Sequence, residues 1–103
     1  MLISDALRAI AEPRRRRILM MIWDEELCAG EIAASFEISR PAVSQHLKVL
    51  RESGLVRERR RGTQRMYQIC PQGMADLRRF MEHFTLGDFL WDEEVDGDLL
   101  AVA

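Results

Sequence analysis

The run Ser39-Arg40-Pro41-Ala42-Val43 constrains this chain more than any other feature, because its residue types start a helix at a defined position. Serine is a preferred N-cap, and proline is tolerated in a first turn, where its missing N–H would be unpaired in any case. Val43, Leu47 and Leu50 then recur at i, i+4 and i+7 as one apolar stripe until Ser53-Gly54 closes the helix. A short helix with Ile32, Ala33 and Phe36 inward precedes it at turn distance. Two short helices joined by a tight turn, the second capped and amphipathic, read as a helix-turn-helix. Beyond Gly54 the pattern becomes extended. Residues 55–59 and 64–69 are strand-like runs separated by Arg60-Arg61-Gly62-Thr63, a glycine-containing hairpin loop that reads as a wing.

The flanking segments are helical. Ile3, Ala6, Leu7 and Ile10 predict a helix over about residues 4–11, with Ser4 and Asp5 available to cap it. Pro13 opens a second helix whose buried stripe is Ile18, Leu19, Ile22 and Trp23, ended by Asp24, Glu25 and Glu26. From Pro71 a last helix carries Met74, Leu77, Phe80, Met81 and Phe84, and Phe89-Leu90-Trp91 precede an acidic end. The expected fold is mainly α with a small β-hairpin: a winged helix-turn-helix of about five helices and a two-stranded wing. Residues 1–91 form one domain in this reading and 92–103 an acidic tail. Ile3, Leu7 and Ile10 at one end and Leu77, Phe80, Met81, Phe84, Phe89 and Trp91 at the other exceed what one small core would cover. A two-fold homodimer would bury both stripes and set two recognition helices about 34 Å apart, one DNA turn.

The formal charge of −2 argues against a nucleic-acid partner only until it is divided along the chain. Residues 40–65 carry +6, residues 66–103 carry −6 and residues 1–39 carry −2. Other classes are excluded more directly. No apolar run approaches the roughly 20 residues that cross a bilayer, and Asp5 and Arg8 interrupt the start where a signal peptide would be apolar, so a cytoplasmic protein without a membrane partner is expected. No phosphate-binding glycine loop, paired-histidine metal helix or nucleophile elbow is present, and 103 residues leave little room for a water-excluding pocket. An enzyme is not expected, nor a cofactor.

Projected at 100° per residue, the capped helix sets Pro41, Ser44, Gln45, Lys48 and Glu52 opposite its apolar stripe. Arg40, Ser44, Gln45 and Lys48 have donors for base edges or phosphates, and Ser39 can cap the helix while meeting a phosphate. Alone, such a face would more often be merely solvated; a preceding helix and a following basic hairpin reverse that preference. Arg59, Arg60, Arg61 and Arg65, around Gly62 and Thr63, supply wing contacts to phosphates or a narrow minor groove. His46, between the two faces, fits a backbone hydrogen bond or a phosphate contact better than a metal, since no second ligand lies four residues away. Arg14 to Arg17 cannot all point one way, so some should pair with nearby acids. Cys28 and Cys70 read as reduced thiols, with a redox switch as the alternative.

At residues 12–19, 30–33 and above all 39–56 (Ser-Arg-Pro-Ala-Val-Ser-Gln-His-Leu-Lys-Val-Leu-Arg-Glu-Ser-Gly-Leu-Val), the chain resembles the arsenical-resistance-repressor (ArsR) family of bacterial winged-helix regulators. The likeness spans about residues 4–84. It implies a homodimer held by the first and last helices that binds a palindromic double-stranded DNA operator and represses transcription. Metal-sensing members carry Cys-x-Cys before the turn; here Cys28 matches the first and Gly30 replaces the second. A second family metal site needs two histidines with carboxylates on the last helix, where this chain has only His83. No metal site and no small-molecule effector is therefore expected, and the likeness is greatest to the effector-independent autorepressors. Glu12 and Arg14 stand where the family favours Asp and Thr, which implies a weaker cap on the second helix. Two other readings stand beside this one: a thiol-responsive repressor using Cys28 and Cys70, and a winged-helix module that binds an acidic protein.

Overall fold

The structure, a computed structural model, describes residues 2–85; Phe89, Trp91 and the expected acidic tail lie outside these residues. The order is α1 (Ile3–Ala11), α2 (Pro13–Met21), β1 (Leu27–Cys28), α3 (Ala29–Ala33), α4 (Arg40–Glu52), β2 (Val56–Arg61), β3 (Gln64–Ile69) and α5 (Pro71–Thr85). This is a winged helix-turn-helix with five helices. The wing gains one strand over the expected two: the sheet order is β1-β3-β2, all antiparallel, with Leu27 opposite Tyr67 and Val56 opposite Ile69. A two-residue strand has too little periodicity to be seen in sequence.

Pro13 separates α1 from α2, since the residue before proline avoids helical backbone; Glu12 is extended, with φ −90° and ψ 122°. The Glu12 carboxylate accepts the backbone N–H of Arg15 at 3.1 Å, so this glutamate caps α2 in spite of its longer side chain. At α1 the cap differs from expectation. Leu2 holds the N-cap position with no side-chain bond, and Ser4 and Asp5 lie inside the helix. Of the arginine run, Arg14 Nη1 lies 3.9 Å from Glu12 Oε1, as expected, whereas Arg15 Nε donates to Ala9 O and Arg16 Nη1 to Ile10 O, each at 2.8 Å. These two donors satisfy carbonyls that the end of α1 leaves without partners. Arg17 donates to Ser35 O at 2.9 Å and lies 4.7 Å from the Phe36 ring centroid, bracing the turn before α4.

The core gathers Ala6 and Ala9 of α1, Ile18 and Leu19 of α2 with the following Ile22, Ile32 of α3, Val43, Leu47 and Leu50 of α4, then Leu55, Val56, Tyr67 and Leu77. Leu77 is thus an intrachain core residue and not part of a free stripe. Trp23 departs from expectation in the opposite sense: α2 ends at Met21, and the indole, past the helix end, is 57% exposed. Ile3, Leu7, Ile10 and Phe80 are half-buried, while Met81 and Phe84 remain exposed.

The end of α4 fixes where the wing begins. Leu55 N–H reaches Leu50 O and Gly54 N–H reaches Arg51 O, at 3.2 and 3.0 Å, a Schellman closure with Gly54 at φ 85°. Gly73 of α5 lies directly against this turn. A Cβ there would come within 1.9 Å of Gly54 O and 2.9 Å of its carbonyl carbon, a clash with backbone. Gly73→Ala should therefore destabilise the fold by about 1–3 kcal/mol, seen as a lower midpoint in thermal unfolding; an unchanged midpoint would show that α5 shifts freely.

Candidate nucleic-acid interface

Burial of Val43, Leu47 and Leu50 decides which side of α4 faces outward, and Arg40, Pro41, Ser44, Gln45, Lys48 and Glu52 are all exposed there. Ser39 Oγ accepts the Ala42 N–H at 3.2 Å, so the cap is formed as the sequence indicates. Facing this surface is the wing, closed by Gly62 and Thr63 between paired Arg61 and Gln64. Gly62 has φ 64° and Thr63 a negative φ, the signs of a type II′ turn that matches strand twist.

Between α4 and the wing lies an open groove of about 600 Å³ lined by Cys28, Gly30, Arg40, Ser44, Lys48, Arg51, Thr63, Gln64, Arg65 and Tyr67. It joins Arg40, Ser44 and Lys48 with Thr63 and Arg65, five of the residues singled out in the sequence. Arg51 and Gln64 were missed. Arg51 was legible, since residues 44, 48 and 51 continue one helical row at i, i+4 and i+7.

Strand alternation divides the wing arginines, which the sequence reading had treated as one group. The cross-strand rows Val56–Ile69, Glu58–Tyr67 and Arg60–Arg65 share one face of the sheet, and Arg65 and Tyr67 line the groove from it. Arg59 lies on the opposite face. Its Nε and Nη2 donate to the two carboxylate oxygens of Glu26 at 2.7 and 2.6 Å, a bidentate pair. Hydrogen bonding from Arg59, with its charge and that of Arg61, holds the Glu26 carboxyl below the usual carboxylate range. Arg59 is paired with Glu26 on the face of the sheet away from the groove, though half of its side chain is exposed.

His46 also turns inward. Its side chain is 18% exposed, with Nδ1 4.0 Å from Glu12 Oε2 and without a hydrogen-bond partner. That places it against the start of α2 and away from the exposed face of α4. The cysteines do not form a pair. Cys28 lies opposite Met66 on β3, whereas Cys70 is four residues further along, roughly 13 Å at strand rise, beyond the Cα separation that a disulfide spans.

The family's metal site does not fit these residues. At Gly30, where the second cysteine would stand, the Cβ position lies 3.6 Å from Arg40 Nη1 and 3.9 Å from Cys28 Sγ, so a guanidinium borders the place of the missing ligand. A cationic neighbour and one thiolate are a poor donor set for a metal ion. Among the described residues no three His, Cys, Asp or Glu side chains come together as a metal site, and no helix is long and apolar enough to cross a membrane.

A helix-turn-helix whose outward helix and wing enclose a basic groove defines a winged-helix DNA-binding protein. Residues 12–58 match the profile of the arsR family of bacterial regulatory proteins. The HTH-type transcriptional regulator Rv2034 of Mycobacterium tuberculosis is 46% identical over 79 residues, covering 77% of this chain and 74% of that protein. Transcriptional repressor SdpR of Bacillus subtilis is 31% identical over 81 residues, with 79% and 90% covered. The crystal structure of a possible transcriptional regulator for arsenical resistance is 42% identical with a TM-score of 0.75, covering 96% of each chain. This chain belongs to the ArsR family: it is a DNA-binding transcriptional regulator and not an enzyme.

The division of the wing can be tested by salt dependence. Arg60→Ala should reduce the slope of log affinity against log salt by about 0.9, the share of one phosphate, whereas Arg59→Ala should leave it unchanged. Equal reductions would place the Arg59 guanidinium on DNA.

Proposed function

We propose that the protein represses transcription in the cytoplasm as a homodimer bound to a palindromic operator, without a metal effector. The observation that carries this reading is the exposure of Arg40, Ser44, Gln45 and Lys48 on one side of a helix whose other side is core, beside the arginines of the wing. Arg40, Ser44, Gln45 and Lys48 read base edges, Ser39 and the helix N-terminus meet a phosphate, and Arg60, Arg61, Thr63 and Arg65 grip the flanking backbone. Repression is supported by the name of the Bacillus relative. Pairing of two copies is supported by Met81 and Phe84, 41% and 38% exposed on α5, next to the half-buried Ile3, Leu7 and Ile10 of α1. The absence of a metal effector is supported by Gly30, which stands where a second cysteine would and whose Cβ position has Arg40 Nη1 within 3.6 Å.

Selection of bound duplexes from a random pool should recover an inverted repeat with half-sites about one helical turn, or a multiple of it, apart. On that duplex, Arg40→Ala and Gln45→Ala should each lower discrimination against random sequence by about 1–3 kcal/mol. Equal losses on both duplexes would make these residues phosphate contacts. Sedimentation should give a dimer, and arsenite, cadmium or zinc should leave operator affinity unchanged.

A further inference from the structure

Residues 40–65 hold only two acids, and one of them, Glu58, projects from the groove face of the wing. A carboxylate there repels every phosphate that approaches, so electrostatics alone would disfavour it. Its contacts supply the reason for it. Glu58 Oε2 accepts from Arg51 Nη1 of α4 at 2.8 Å, and Oε1 lies 3.6 Å from Arg65 Nη1 of β3. One side chain of β2 thus joins the end of the recognition helix to β3. Its exposure is 20%, against 40% for Arg51 and 58% for Arg65, so the acid lies beneath and the guanidiniums lie above. Each guanidinium has five N–H donors and needs only one or two for Glu58. Both side chains line the groove. Tyr67 is kept neutral: burial first, then the charge of Glu58, raise the phenol above its ordinary pKa, opposed by Arg65 and Arg51.

We propose that Glu58 is a positioning residue which fixes the wing against the recognition helix and presents Arg51 and Arg65 at a set separation, trading general affinity for sequence discrimination. The inference rests on the DNA-binding reading above. Repulsion by the carboxylate weakens binding to all duplexes alike, whereas a fixed guanidinium spacing favours only the duplex whose phosphates and base edges match it. The difference is specificity.

The test compares the wild-type dimer with Glu58→Gln and Glu58→Asp on the selected operator and on random duplex of equal length. Glutamine keeps the shape and removes the charge; aspartate keeps the charge and shortens the reach to Arg51. Glu58→Gln should bind random duplex more tightly, and both variants should lose roughly tenfold in the operator-to-random ratio, the scale of one impaired contact. A ratio unchanged in both variants overturns the proposal, whether their thermal midpoints fall or not. A loss in Glu58→Gln with full retention in Glu58→Asp also overturns it, since charge alone would then account for the effect. Wild-type protein that prefers no duplex would instead refute the DNA-binding reading itself.

Discussion

The DNA-facing surface exists because Val43, Leu47 and Leu50 are buried. Each of these side chains contributes on the order of 1.5–3 kcal/mol by leaving water, while an exposed ion pair contributes about 1 kcal/mol or less. The orientation of α4 is therefore set from behind, by apolar contact with α2, α3 and Leu55, and not by the polar residues that the helix displays. That separation frees Arg40, Ser44, Gln45 and Lys48 from any stabilising task. The Schellman closure at Gly54, pressed against Gly73, then fixes the point from which β2 departs, and with it the width of the groove.

Against this frame the basic residues divide by use. Arg15 and Arg16 satisfy carbonyls of α1, Arg17 braces the turn before α4, and Arg59 is held by both oxygens of Glu26. A count of arginines overstates the cationic surface beside α4, because these four guanidiniums are turned toward partners elsewhere on the protein. Arg40, Lys48, Arg51 and Arg65 are different: all four line one groove. The +6 of residues 40–65 is spread over two faces of the wing, and the face toward α4 carries the part that a duplex would meet.

Most of the fold was legible in the sequence because its decisive signals are local. Ser39, Pro41, Ser53-Gly54 and Gly62 act within a few residues of themselves, and the apolar period of α4 names its buried face without knowledge of its neighbours. What escaped depends on partners distant in the chain. Glu26 and Arg59 are 33 residues apart, and only the sheet brings them together. His46 lies on the border of two helix faces, and its place against Glu12 at the start of α2 shows only in the assembled fold. Leu77 shares its period with Phe80 and Phe84, so spacing could not tell the buried residue from the half-buried and the exposed one. Trp23 continues the apolar period of α2 but stands beyond its end at Met21, where that period no longer sets a buried face.

Two glutamates, Glu12 and Glu58, show how acids belong in a basic protein. One caps α2 and adjoins His46 behind the recognition helix; the other is paired with Arg51 and Arg65 and less exposed than either. Both are well covered, and in both places the carboxylate holds its neighbours at a position. Because Coulomb interactions fall with distance and are screened by salt over about 8–10 Å, a DNA phosphate senses the guanidiniums above Glu58 before the acid beneath them. Net charge is therefore the wrong quantity for judging partners of a chain this small. The sign that meets DNA is set by which charges the core and the sheet leave uppermost.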